Sequence, residues 1–152
     1  MAFNFYPWRK VQISDISIAA GVITVNFPVG PRYKRLCFEL GDSGAGNGNA
    51  PAMTAISELS LKLGSGIQRR LSGAKLDFIN TENGSQYAAR DSVTGGANGT
   101  GRKQFSVYLE EPWRKRNDYA NGLAWQTGWL GDKQVFQAKL ITTGLTTPVI
   151  TV

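Results

Sequence analysis

Histidine does not occur in this 152-residue chain, and that one absence closes off a large part of enzymology. Without imidazole there is no Ser-His-Asp or Cys-His pairing, no general base with an ordinary pKa near neutrality, and no supply of the commonest transition-metal ligand. Cysteine is nearly as scarce. Cys37 stands alone, so no disulfide can close within the chain, and a reducing compartment is the default. Set between Leu36 and Phe38 on an alternating segment, its thiol is expected to be buried and inert. No stretch approaches the roughly 18 apolar residues of a membrane-spanning helix. The opening MAFNFYPWRKVQ has no apolar run of secretory length and places its charges after its aromatics, so a soluble product of cytoplasmic synthesis is expected. A single domain of this length buries roughly 68–70% of its unfolded surface and needs no disulfide or metal to fold.

What is plentiful is glycine, with 18 residues, and positive charge, with 17 Lys and Arg against 11 Asp and Glu for a net +6. A basic balance favours acidic partners. The charges are dispersed, however, in small groups at Arg9/Lys10, Arg32/Lys34/Arg35, Arg69/Arg70, Arg102/Lys103 and Arg114–Arg116. Groove binders concentrate charge on one element, so solubility and scattered ion pairs are the simpler reading, and no specific nucleic-acid partner is expected.

Short apolar runs of period two, separated by glycine and proline, predict strands. Val11/Ile13 and Ile16/Ile18 flank a register break at Ser14-Asp15; Ile23/Val25/Phe27 follows Gly21, and Leu36/Phe38/Leu40 follows the Pro28–Pro31 turn. Gly41–Pro51 (GDSGAGNGNAP) is expected to be a surface loop that buries nothing. Leu59/Leu61/Leu63 joins Ile67–Leu71 through a tight Gly64-Ser65-Gly66 connection. Ser72 then caps one short helix with an apolar patch of Ala74, Leu76, Phe78 and Ile79, stopped by Asn83-Gly84. Ser92–Gly101 is a second Gly-rich loop; the last strands are Phe105–Leu109, a segment around Leu123–Trp129, Val135–Ile141 and Val149–Val152. The sum is an all-β jelly-roll β-sandwich of about eight strands with one short helix and two long Gly-rich loops.

Several constellations imitate chemistry without supplying it. Gly41-Asp42-Ser43-Gly44 has the look of a protease nucleophile loop, but no histidine exists to take the serine proton. Gly96–Lys103 approaches a phosphate loop, yet Arg102 and Lys103 stand where Lys and Ser/Thr are required, and a strand pattern follows. Glu110 and Glu111 are adjacent and face opposite sides of a strand, so they are read as balancing Arg114, Lys115 and Arg116 rather than as an acid–base pair. No catalytic residue, metal ligand or cofactor is assigned.

The aromatic residues remain. Trp113, Trp125 and Trp129, with Tyr108 and Tyr119, crowd one region between two alternating strands, in the company of Arg114, Lys115 and Arg116. Tryptophan and arginine together are enriched at the energetic centres of protein interfaces. Trp113 and Arg114–Arg116 are therefore candidate contact residues, while Tyr108, Trp125 and Trp129 serve either an interface or the sandwich core. At the N-terminus Phe5, Trp8, Arg9 and Lys10 have the character of an arm that meets a neighbouring subunit or an anionic membrane surface, with a plain first strand as the competing reading.

The segments Arg32–Leu40 (RYKRLCFEL), Ile56–Leu63 (ISELSLKL), Gly66–Leu71, Gly73–Gly84 (GAKLDFINTENG), Phe105–Trp113 (FSVYLEEPW) and Val135–Ile141 together give an order of elements over most of the chain. That order resembles the N-terminal jelly roll of the major capsid proteins of corticovirus-like, lipid-containing double-jelly-roll bacteriophages. The resemblance implies a virion coat protein whose copies form trimeric or hexameric tiles of an icosahedral shell, beside other capsid proteins and above an internal membrane. Those proteins carry two jelly rolls, and this chain has residues for one. Residues 1–143 are accordingly read as a single jelly-roll domain, and 144–152 as a C-terminal strand or a linker toward a second. A carbohydrate-binding, lectin-like sandwich with Trp113, Trp125 or Trp129 as stacking platforms is the alternative, and a nucleic-acid-binding β-barrel a third.

Overall fold

A computed structural model of the chain describes residues 12–43, 50–93, 101–110, 125–126 and 135–152. Its first hairpin joins β1 (Ile16–Ala19) to β2 (Val22–Phe27) through Ala20-Gly21, both with positive φ, at 50° and 76°. Such a two-residue turn matches the right-handed twist of the flanking strands, and glycine adopts it freely where alanine does not. The chain continues through β3 (Arg32–Tyr33), β4 (Arg35–Asp42), a 3-10 turn at Met53–Ala55, β5 (Ile56–Leu63) and β6 (Gly66–Leu71). Helix α1 (Gly73–Glu82) follows, then β7 (Arg90–Val93), β8 (Arg102–Tyr108), β9 (Trp125–Gln126), β10 (Phe136–Thr142) and β11 (Pro148–Thr151).

Nine of these strands build two antiparallel sheets, ordered β1-β2-β10-β5-β6 and β11-β4-β8-β7, and β3 pairs with β9 as a separate short ladder. The chain passes from one sheet to the other after β2, β4, β6, β8 and β10, which makes the molecule a jelly-roll β-sandwich. The period-two pattern explains the layers. Ile23/Leu140/Leu59, Val25/Ala138/Leu61 and Phe27/Phe136/Leu63 are aligned rows across the first sheet, and Leu36/Val107 and Phe38/Phe105 are rows of the second. Nearly all are fully buried, with Phe38 and Phe105 stacked at 5.2 Å between ring centroids.

The helix does more than fill space. In β8 the odd-numbered residues turn their backbone groups to β4, as the bond from Leu109 N to Lys34 O requires, so Gln104, Ser106 and Tyr108 turn theirs the other way. β7 pairs only with Arg102–Gln104. Beyond it, side chains replace the missing strand. Asn80 Nδ2 of α1 donates to the Ser106 carbonyl at 3.0 Å, and Arg69 Nη1 of β6 donates to the Tyr108 carbonyl at 2.8 Å. Asn80 is buried, and burial lowers the pKa of Arg69 below the ordinary guanidinium range. Ser72 caps the helix by accepting from Lys75 N, and Asn83 ends it. Gly73 lies so close to the 3-10 turn that a Cβ would overlap the Met53 carbonyl oxygen.

Four expectations need correction. The buried residues of α1 are Gly73, Leu76 and Asn80, whereas Ala74 and Phe78 face solvent, because the helix is fastened to β8 by a polar side chain. Gly41 and Asp42 belong to β4 and are buried, not looped out: Arg102 lies across Gly41, and the Asp42 carboxylate accepts from the backbone N–H groups of Thr146 and Thr147. Pro51, assigned to the same loop, is buried too. Cys37 alternates to the outer face opposite Ser106, where it is only half-buried with Sγ 3.5 Å from Ser106 Oγ. β7, absent from the strand pattern, forms because Arg90 and Asp91 pair with Gln104 and Lys103 through both backbone and side chains.

Asn80→Leu keeps the branched heavy-atom shape, with a slightly bulkier end, and orphans the Ser106 carbonyl. It is expected to lower unfolding stability by about 1–3 kcal/mol in urea titrations. Ala20→Asn relieves the left-handed backbone and is expected to raise stability by about 0.5–1 kcal/mol in the same measurement.

Candidate functional site

The long connection between β8 and β10 carries most of the candidate contact residues, and the described structure shows what holds its base. As β8 ends, the N–H groups of Leu109 and Glu110 both donate to the Lys34 carbonyl, at 2.8 and 3.2 Å. The side chains repeat that link, with Lys34 Nζ 3.4 Å from Glu110 Oε2. Both groups are more than four-fifths buried, and this Glu110 oxygen has no hydrogen-bond partner among the described residues, so the nearby ammonium carries its charge balance. Glu110 is thus paired with Lys34, between β3 and β4, a partner its own neighbourhood in the sequence does not show, while Arg114–Arg116, expected to balance Glu110 and Glu111, lie outside the described residues.

The connection returns to the same place. β9 lies antiparallel to β3, with Trp125 opposite Tyr33 and Gln126 opposite Arg32. Tyr33 sits on an aromatic cluster, its ring 5.9 Å from Phe27 and 5.0 Å from Phe136, with Phe27 and Phe136 themselves 4.8 Å apart. Its hydroxyl donates to the Pro28 carbonyl at 2.7 Å, and burial raises its pKa above the ordinary 10.0. The strand, the ion pair and the ring cluster form a collar that pins both limbs of the connection to the end of the sandwich.

Of the candidate residues, Tyr108 is half-buried on the outer face of the second sheet, opposite Arg35, with its ring edge-on to Tyr87 at 5.2 Å. It is therefore not part of the sandwich core. Trp125 is placed by its backbone pairing with Tyr33. Phe5, Trp8, Arg9, Lys10, Trp113, Arg114, Lys115, Arg116 and Trp129 lie outside the described residues. No collar of Tyr33, Lys34 and Glu110 was legible in the sequence, because Lys34 and Glu110 are 76 positions apart and Tyr33 is 92 from Trp125 and 103 from Phe136. Among the described residues no three His, Cys, Asp or Glu side chains group as a metal site would, and no helix is long and apolar enough to cross a membrane.

No protein-family model and no curated protein matches the chain. Solved structures do. PBCV-1 VP54, in a crystal structure fitted into a cryo-EM reconstruction of the virophage Sputnik, is similar with a TM-score of 0.60 at 13% identity. A chain of the quasi-atomic model of the PBCV-1 virus capsid is similar with a TM-score of 0.56 at 14% identity. Each likeness takes in 99% of this chain, which spans 43% of the length of the chain it matches. At such identity the likeness is one of fold.

The collar generates two expectations. Lys34→Met strands a partly buried carboxylate and should cost about 1–3 kcal/mol, with Lys34→Met/Glu110→Leu recovering part of that loss in a double-mutant cycle. Tyr33 has a higher pKa folded than unfolded, so its contribution is whole below the unfolded value near 10.0 and is lost as pH rises through the folded one. Tyr33→Phe should therefore flatten the alkaline limb of a stability-versus-pH profile.

Proposed function

We propose that this chain is a structural virion protein, a jelly-roll coat subunit whose copies associate laterally into trimeric or hexameric tiles of an icosahedral shell. The observation that carries the reading is the likeness to PBCV-1 VP54 and to the PBCV-1 virus capsid chain over 99% of this chain. The 43% share of those chains is what one of two similar-sized domains would give, which supports a second jelly roll as the covalent or associated neighbour. The collar supports a surface role for the β8–β10 connection. An insertion that serves only as a link needs no ion pair, extra ladder and aromatic cluster at its base, whereas a contact loop gains affinity from being held in place.

In this reading Trp113, Arg114, Lys115 and Arg116, with Trp125 and Trp129, make subunit contacts, and Phe5, Trp8, Arg9 and Lys10 form an arm against a neighbour or an internal membrane. The resemblance of the segments Arg32–Leu40, Ile56–Leu63 and Phe105–Trp113 to the lipid-containing bacteriophage group is what supports placing the chain there. No enzymatic step is assigned, and the site of action is the virion.

Light scattering after size exclusion tests the reading. Three or six times the chain mass of 16.5 kDa, or larger assemblies growing with concentration, is the expected result. Removing residues 1–10, or Trp113→Ala, should reduce assembly while leaving the melting temperature within a few degrees. A chain that stays monomeric at every concentration removes the self-association claim.

A further inference from the structure

Helix α1 turns Leu76 and Asn80 inward, and its opposite face has an order that the sandwich does not use. At about 100° per residue, Ala74, Lys75, Phe78, Thr81 and Glu82 fall within an arc of about 120°. All five are exposed. Phe78 is the most exposed large apolar side chain among the described residues, at 64%, and it stands at the middle of that arc. Along the axis it lies midway between Lys75 and Glu82, which are about 10 Å apart.

The two charges run against the helix's own electrostatics. A helix favours carboxylates in its first turn and cations in its last. Here the first turn has no acid and the last turn no base. Lys75 lies near the positive end and Glu82 at the negative end, and neither makes an ion pair among the described residues. Asp77 offers no local relief, because its Oδ1 accepts from Ala89 N. This order does not help an isolated helix. It is self-complementary: a second α1 laid antiparallel opposes Lys75 to Glu82 twice over and cancels the two macrodipoles. It also brings each Phe78 over the hollow left between the small Ala74 and Thr81 of the other helix.

We propose that α1 is a self-complementary contact through which two copies of this chain pair about a two-fold axis passing beside Phe78. A 10-residue helix is about 15 Å long and covers well under the roughly 800 Å² per partner of a stable complex. The pairing is therefore weak between free chains, measurable at high concentration, and strengthened wherever copies are held together, as effective concentration adds to affinity. It does not depend on the shell reading. A mass of two chains with no higher assembly keeps this pairing and removes that reading.

The test uses the whole chain. In a Cys37→Ser background, Phe78→Cys places residue 78 beside its own copy and is expected to form disulfide-linked dimers under mild oxidation about tenfold faster than Gln86→Cys on the neighbouring turn. With Phe78 retained, Lys75→Glu and Glu82→Lys should each weaken dimerisation in sedimentation equilibrium by about tenfold, and the double exchange Lys75→Glu/Glu82→Lys should restore it. Circular dichroism checks that each exposed-site variant stays folded. Equal oxidation rates for Phe78→Cys and Gln86→Cys, or a double exchange that fails to recover, overturns the proposal.

Discussion

The carbonyl groups along the open half of β8 are the constraint on which the rest of the arrangement depends. A buried carbonyl without a donor costs more than most single contacts return, and β7 is too short to serve Ser106 and Tyr108. Asn80 and Arg69 serve them instead, each from an element belonging to the other side of the sandwich. Those two bonds tie α1 and β6 to the second sheet, as the apolar rows tie the two sheets face to face. On the opposite side Ile13 N bonds to Val152 O, so backbone rather than side chains extends the ladder there. The sandwich is thus closed in two chemically different ways, and the polar closure is where the helix acquires its orientation. With Asn80 turned inward, Phe78 must face out.

The layers were legible because they depend on local alternation. Ile23/Val25/Phe27, Leu36/Phe38/Leu40, Leu59/Leu61 and the β10 residues Phe136/Ala138/Leu140 are all buried as their period of two requires. Ser72 and Asn83-Gly84 marked the helix ends because capping is a short-range matter. What escaped was every feature whose cause is distant in sequence. Asp42 reads as a loop carboxylate until Thr146 and Thr147 supply its donors. Gly41 reads as a loop glycine until Arg102 lies over it. Phe78 reads as core until the inward position proves to belong to Asn80. Lys34 reads as one member of a basic cluster until the carboxylate of Glu110, 76 positions on, lies beside it. For the contact residues themselves, composition was the only signal, and of these the described structure places only Tyr108 and the backbone of Trp125.

The same distinction explains how 13% identity coexists with a likeness over almost the whole chain. Alternation, turn chemistry and caps are degenerate codes, and many sequences satisfy them with different residues. Charge placement on a helix face or at a loop base carries no such requirement from the fold. It is free to vary with whatever the surface meets. Features that cost the isolated domain something, such as Lys75 and Glu82 set against the macrodipole, are therefore more informative about use than the well-formed core.

The sheet edges narrow how copies of this chain can meet. An exposed edge strand invites another chain to add to it. Each described edge carries something that discourages addition. β1 has only four residues and ends at the Ala20-Gly21 turn. β6 presents Gln68, Arg69 and Arg70, with Arg70 3.3 Å from Glu58 and Arg69 committed to the Tyr108 carbonyl. β7 carries Arg90 and Asp91, and its side chains bond back to Gln104 and Lys103. β11 opens on Pro148, which has no N–H to offer. Copies are thereby steered away from strand addition, which propagates without limit, toward contacts made by side chains. Contacts of that second kind fix an angle and a number of neighbours, where a free edge fixes neither.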